Sequence, residues 1–146
     1  MKVCFNRTYN DIFEKMSGQE DFYNSFFDEY NINLENSTYI HLYEYSGDNK
    51  YITKTIFVCN DRVVVWDAIL EGSNFVPYTP FTVNVYKKNN IKALKISNNN
   101  QWNPTYEVKI VFDNAEIDFV ATEHSRKNAD CKKVIKFLNS LFDTKE

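Results

Sequence analysis

The 146-residue chain is predicted to be a single α+β domain, mostly antiparallel sheet, with helices at both ends. Three observations carry this. Apolar residues recur at helical spacing as far as Tyr30, then alternate with a period of two from Thr38 to Thr122. Short clusters of turn-forming residues cut the alternating stretch into segments of strand length. A last apolar stripe returns to helical spacing before the chain ends. Composition fits: 43% hydrophobic and 16% aromatic residues exclude intrinsic disorder, and only 3 Gly and 3 Pro exclude a collagen-like or linker-rich chain.

The first part, residues 1–36, is read as a short strand at Met1–Phe5 followed by two helices. Tyr9, Ile12, Phe13 and Met16 form the stripe of the first. Ser17-Gly18-Gln19-Glu20 reads as a capping box opening the second, in which Phe22, Tyr23, Phe26, Phe27 and Tyr30 share one face. The polar stretch Asn31–Ser37 ends it. Residues 38–122 follow as seven strands: Thr38–Tyr45, Tyr51–Cys59, Arg62–Leu70, Phe81–Lys87, Ile91–Ser97, Tyr106–Phe112 and Ala115–Thr122. The breaks between them are short, so an antiparallel meander is expected. Residues 128–143 form the closing helix, with Cys131, Val134, Ile135, Leu138, Leu141 and Phe142 on its apolar stripe.

Pairing arithmetic gives two hairpins a definite register. A two-residue turn at Asp113-Asn114 sets Ile110 opposite Ile117 and Val108 opposite Phe119, with Lys109 meeting Asp118 as an ion pair on the other face. A turn at Asn60-Asp61 sets Val58 opposite Val63 and Ile56 opposite Val65, but also Phe57 opposite Val64 and Thr55 opposite Trp66. Both faces of the second hairpin are apolar, so both are expected to be covered. The aromatic N-terminal helices are the expected cover, with Phe57, Val64 or Trp66 receiving them. Deleting residues 1–36 should then leave an insoluble or molten chain.

This order of elements resembles the pleckstrin-homology-like fold. The closing stretch carries the likeness: Tyr106-Glu107-Val108-Lys109-Ile110-Val111-Phe112, a turn, Ala115-Glu116-Ile117-Asp118-Phe119, then Val134-Ile135-Lys136-Phe137-Leu138. The resemblance covers residues 38–143 and implies a seven-stranded, partly open barrel capped by the C-terminal helix. Phe137 or Leu138 would replace the tryptophan many members carry there. The family's phosphoinositide site needs several cations in its first hairpin. Here that hairpin holds Lys50 and Lys54 beside Asp48, which argues against headgroup binding. The order also resembles the START-like helix-grip fold, which would imply a carrier or enzyme for a small apolar ligand.

Charge and motifs narrow the function. The net charge of −3 is split, −6 over residues 1–48 and +3 over the remainder, and it gives no pull toward nucleic acid. No apolar run reaches the ~20 residues of a membrane span, and the N-terminus lacks a secretory core, so cytoplasmic localisation without membrane insertion is expected. The bias to 19 Asn, and to 14 Lys over 3 Arg, is that of an AT-rich bacterial genome. Cys4, Cys59 and Cys131 have no paired spacing and read as reduced thiols. His41 and His124 are the only histidines and neither lies in a metal-ligand cluster. His41 reads as a sheet histidine, Ser125 as a helix cap, and Glu116 with Asp118 as part of a solvated ladder.

Two surface features remain. Trp102, flanked by Asn100 and Asn103 in a polar loop, is the candidate ligand-binding group, against the alternative that it caps the barrel end. Lys87, Lys88, Lys92 and Lys95 surround one hairpin and read as charges that keep a sheet edge from aggregating. The expectation is a non-catalytic binding or scaffolding module, with no cofactor or metal and with a protein or peptide partner.

Overall fold

The computed structural model describes residues 4–5, 7–9, 20–33, 37–71, 76–98, 105–122, 136 and 138–142. Its strands are β1 (Cys4–Phe5), β2 (Arg7–Tyr9), β3 (Thr38–Gly47), β4 (Lys50–Val58), β5 (Arg62–Glu71), β6 (Val76–Lys87), β7 (Ile91–Asn98), β8 (Thr105–Phe112) and β9 (Glu116–Thr122). Helix α1 (Glu20–Glu29) precedes β3, and a 3-10 turn, Lys88–Asn90, joins β6 to β7. They form two sheets, ordered β2-β3-β4-β5-β6 and β1-β9-β8-β7. Every pairing is antiparallel except β1 with β9, where Cys4 stands opposite Val120 and Phe5 opposite Ala121. The fold is a β-rich α+β fold whose barrel is not closed, because β6 and β7 do not pair with each other.

Turn chemistry places the reversals. At Asn60-Asp61, Cys59 N–H donates to the Arg62 carbonyl at 2.9 Å, and Val58 faces Val63, Phe57 faces Val64 and Thr55 faces Trp66. At Asp113-Asn114, Phe112 N–H donates to the Ala115 carbonyl at 2.8 Å, with Ile110 opposite Ile117 and Lys109 opposite Asp118. Both registers are those expected from sequence. Asp48 and Asn49 at φ 52° and 61° close β3 to β4 in left-handed backbone, which these two residue types tolerate.

The strands differ from expectation in two places. β6 starts at Val76, inside the expected Gly72–Pro80 loop, and carries Pro77 and Pro80. Proline lacks an N–H, but β6 is an edge strand with a ladder on one side only, so the missing donor is tolerated. The N-terminus contributes two strands: β1 falls within the short strand expected at Met1–Phe5, and β2 is the unexpected one. Tyr9 lies in β2 opposite His41, so the helix expected to begin there does not include it. Residues 10–19, the rest of that helix with the Ser17 capping box, lie outside the described residues. So do Phe137 and most of the expected C-terminal helix, of which Lys136 and 138–140 are helical.

Buried side chains of both sheets meet in the space between them. Ile40, Leu42, Ile56, Val58, Val63 and Val65 from one sheet meet Val108, Ile110, Phe112, Ile117 and Phe119 from the other, and Leu138 and Leu141 pack into the same cluster. The opposite face of the larger sheet has a second core of Phe57, Cys59, Val64, Trp66, Ala68 and Leu70, on which Phe26 and Ile32 sit. The expected docking of the N-terminal aromatic stripe is thus present in α1. Phe26 lies 5.2 Å from Trp66, 6.2 Å from Phe57 and 6.4 Å from Phe81, ring centre to ring centre. These are separations at which aromatic pairs attract beyond their burial.

The end of α1 is built into this contact. Ile32 N–H donates to the Phe27 carbonyl at 2.8 Å and Asn31 N–H to the Asp28 carbonyl at 3.3 Å, the two bonds of a Schellman motif. Asn31 takes the left-handed position at φ 58°, and Ile32 turns into the core beside Phe26. Arg62 Nη2 donates to the Asn31 carbonyl at 3.2 Å, tying the helix end to β5.

Candidate binding edge

Strand β7 follows β6 through the Lys88–Asn90 turn and pairs on its other side with β8, Leu94 facing Ile110 and Ile96 facing Val108. The seam between β6 and β7 is stitched at the turn end. Tyr86 of β6 stacks on Phe112 of β8 at 4.6 Å and 17°, Lys88 N–H donates to the Asp61 carbonyl at 3.0 Å, and Asp113 N–H donates to the Asn90 carbonyl at 3.1 Å. Burial, and secondarily the negative charge of Asp67, holds the Tyr86 phenol above its usual pKa, so it stays neutral in the stack.

Farther along β7 the stitching stops. Leu94 is half-buried against the core between the sheets, whereas Ile96, on the same side of the strand, is 49% exposed. Among the described residues no strand lies beyond β7, so one row of its backbone donors and acceptors faces no ladder. Residues 76–98 hold Lys87, Lys88, Lys92 and Lys95 and no acidic residue. Lys92 pairs with Asp113 at 3.1 Å. Lys87, Lys88 and Lys95 make no ion pair among the described residues. The edge therefore combines hydrogen-bonding backbone, an apolar side chain and uncompensated positive charge.

The other candidates separate. Trp102, Asn100 and Asn103 lie outside the described residues, in the segment that joins β7 to β8. His41 is fully buried on the α1 side of the larger sheet, hydrogen-bonded through Nδ1 to the Thr55 hydroxyl. Burial lowers its pKa from 6.5 to about 3, so the ring is neutral at physiological pH. Thr53 beside it donates to the Ala68 carbonyl at 2.9 Å. This polar pair belongs to a packed interior and offers no open face. Cys59 is a buried free thiol against the Ser37 hydroxyl. Cys4 lies in β1, while Cys131, His124 and Ser125 lie outside the described residues. Lys109 stands opposite Asp118 in the expected register, but the ion pair its Nζ makes is with Glu116, at 3.9 Å, in place of the expected one with Asp118. Among the described residues no three His, Cys, Asp or Glu side chains gather as metal ligands, and no helix is long and apolar enough to cross a membrane.

Ile96 was not distinguishable in the sequence, where strict alternation places it among core residues. The missing acids over 76–98 were a legible signal of a special edge. No family model, curated protein or solved structure matches the chain, so the edge itself has to carry the functional argument.

Proposed function

We propose that the protein is a non-catalytic binding or scaffolding module on a pleckstrin-homology-like core, and that it binds with its outer edge, not with an internal cavity. A four-stranded meander, a three-stranded meander and a C-terminal helical segment between them support the resemblance. The observation that carries the functional reading is the exposed β7 edge beside a tightly buried apolar cluster between the sheets. Small-molecule carriers keep a cavity of several hundred cubic ångströms at such a place, roughly 300–1,000 Å³.

The test places a photo-reactive amino acid at position 95 and, separately, at exposed position 28 of α1, which packs on the far face of the larger sheet. Irradiation in a cell extract should give a discrete adduct from position 95 alone. Equal labelling from both positions overturns the edge reading. A stoichiometric apolar molecule retained in the native mass spectrum overturns the whole reading in favour of a helix-grip carrier.

A further inference from the structure

We infer that the partner taken at this edge is an acidic, extended polypeptide segment that pairs with β7 as an added strand. The inference rests on the edge-binding reading above and names its ligand.

Three features of the edge converge on that chemistry. The unladdered backbone row of β7 can bond an extended chain along its length, whatever that chain's sequence. Successive residues of an added strand point to opposite faces, so alternate ones fall on the core-facing side beside Ile96 and Leu94 and the rest on the Lys95 side. Apolar residues suit the first set. Carboxylates suit the second, with Lys87 and Lys88 extending the positive field at the turn end. Lysines that served only to keep the edge from aggregating would not need a half-exposed isoleucine beside them.

The same features count against other occupants. A second copy pairing edge to edge would bring lysine against lysine, and like charges across a ladder are destabilising. A nucleic acid strand would want exposed aromatic faces for its bases. The aromatic ring of β6 nearest the turn, Tyr86, already stacks on Phe112.

The experiment titrates the full chain with a labelled ten-residue peptide of alternating Glu and Val. Matched peptides carry Gln or Lys in place of Glu, and an oligothymidine serves as the nucleic acid control. The Glu peptide should bind about tenfold more tightly than the Gln peptide, weaken as salt is raised, and slow amide exchange within residues 91–98. The double variant Lys88→Glu, Lys95→Glu should lose about tenfold in affinity with an unchanged melting curve, since Lys95 is exposed and Lys88 lies in the turn. Equal binding of the Gln peptide, or full binding by the double variant, overturns the acidic partner and leaves the edge reading standing. Binding without protection of 91–98 overturns strand addition. Tighter binding of oligothymidine than of the Glu peptide overturns the polypeptide class. No binding of any peptide overturns the inference and reduces the lysines to edge protection, while the cross-linking result judges the edge reading separately.

Discussion

The hairpins β4–β5 and β8–β9 are built to one plan and end in different surroundings. Each reverses at two polar residues and keeps the register that the turn dictates. Each turns apolar residues toward the space between the sheets. On the far side they part. β4–β5 presents Phe57, Val64 and Trp66 to α1, all at most 1% exposed, while β8–β9 presents Lys109, Glu116 and Asp118 at the surface. The lesson concerns what alternation encodes. An apolar and charged alternation reports one covered face, and an apolar residue at every position reports two. The second pattern is also a demand for another element, here α1.

The difference should show in stability. Phe57→Ala is expected to cost about 3–5 kcal/mol, because it empties the floor beneath α1. In a domain of this size that is a fall of roughly 10 °C or more in Tm. Phe26→Ala, the matching change on the helix, should cost nearly as much, and the two together less than their sum because they share one contact. A Phe57→Ala loss below about 1 kcal/mol in urea unfolding would mean that α1 adds little to the domain.

The covered face also hides a titrating group. His41 in the unfolded chain binds a proton near pH 6.5, but in the fold only near pH 3, because burial disfavours the charged ring. Between those values the unfolded state holds more protons. Stability is therefore fully present above pH 6.5 and falls as pH drops toward 3, by up to about 1.4 kcal/mol per pH unit. Urea midpoints across this range should show that slope, and His41→Gln should flatten it. An unchanged slope in the variant would assign the loss to carboxylates instead.

Smaller effects test the ends of the comparison. Asn31→Val should cost about 1–2 kcal/mol, since a β-branched residue resists φ 58°, whereas Asn31→Gly should be neutral or slightly stabilising. A tolerated valine would show that the helix end is free to rearrange. Lys109→Ala, on the charged face of β8, should shift stability by about 0.5 kcal/mol or less, and less again in high salt. A loss above about 1 kcal/mol would make that ladder a structural element and remove the contrast between the hairpins.

How much of this was legible depended on how local its cause was. The hairpins at Asn60-Asp61 and Asp113-Asn114 were readable to the residue because a tight turn sets the register and alternation checks it. The seat of α1 on Phe57 and Trp66 followed from needing a cover for an apolar face. β6 was read too short because proline signals a loop unless the strand is known to be an edge, and edge position is a property of the whole sheet. β2 escaped because a strand of three residues shows no period, whereas β1 lies within the short strand expected at Met1–Phe5, and only its parallel partner, far along the chain, was out of reach. The basic edge was read as protection alone because Ile96 looked like any core residue. The Trp102, Asn100 and Asn103 site remains a reading of sequence.

The parallel pairing of β1 with β9 sets an order of assembly. Each of the hairpins from β3 to β9 closes a short loop, and such loops close fast and at low entropic cost. β1 can find its place beside Val120 and Ala121 only after β9 has left the ribosome. Until then Cys4 and Phe5 have no ladder to join, and the outer edge of β9 stands open. The sheets therefore grow from their hairpins outward, and the first strand made is among the last to be set.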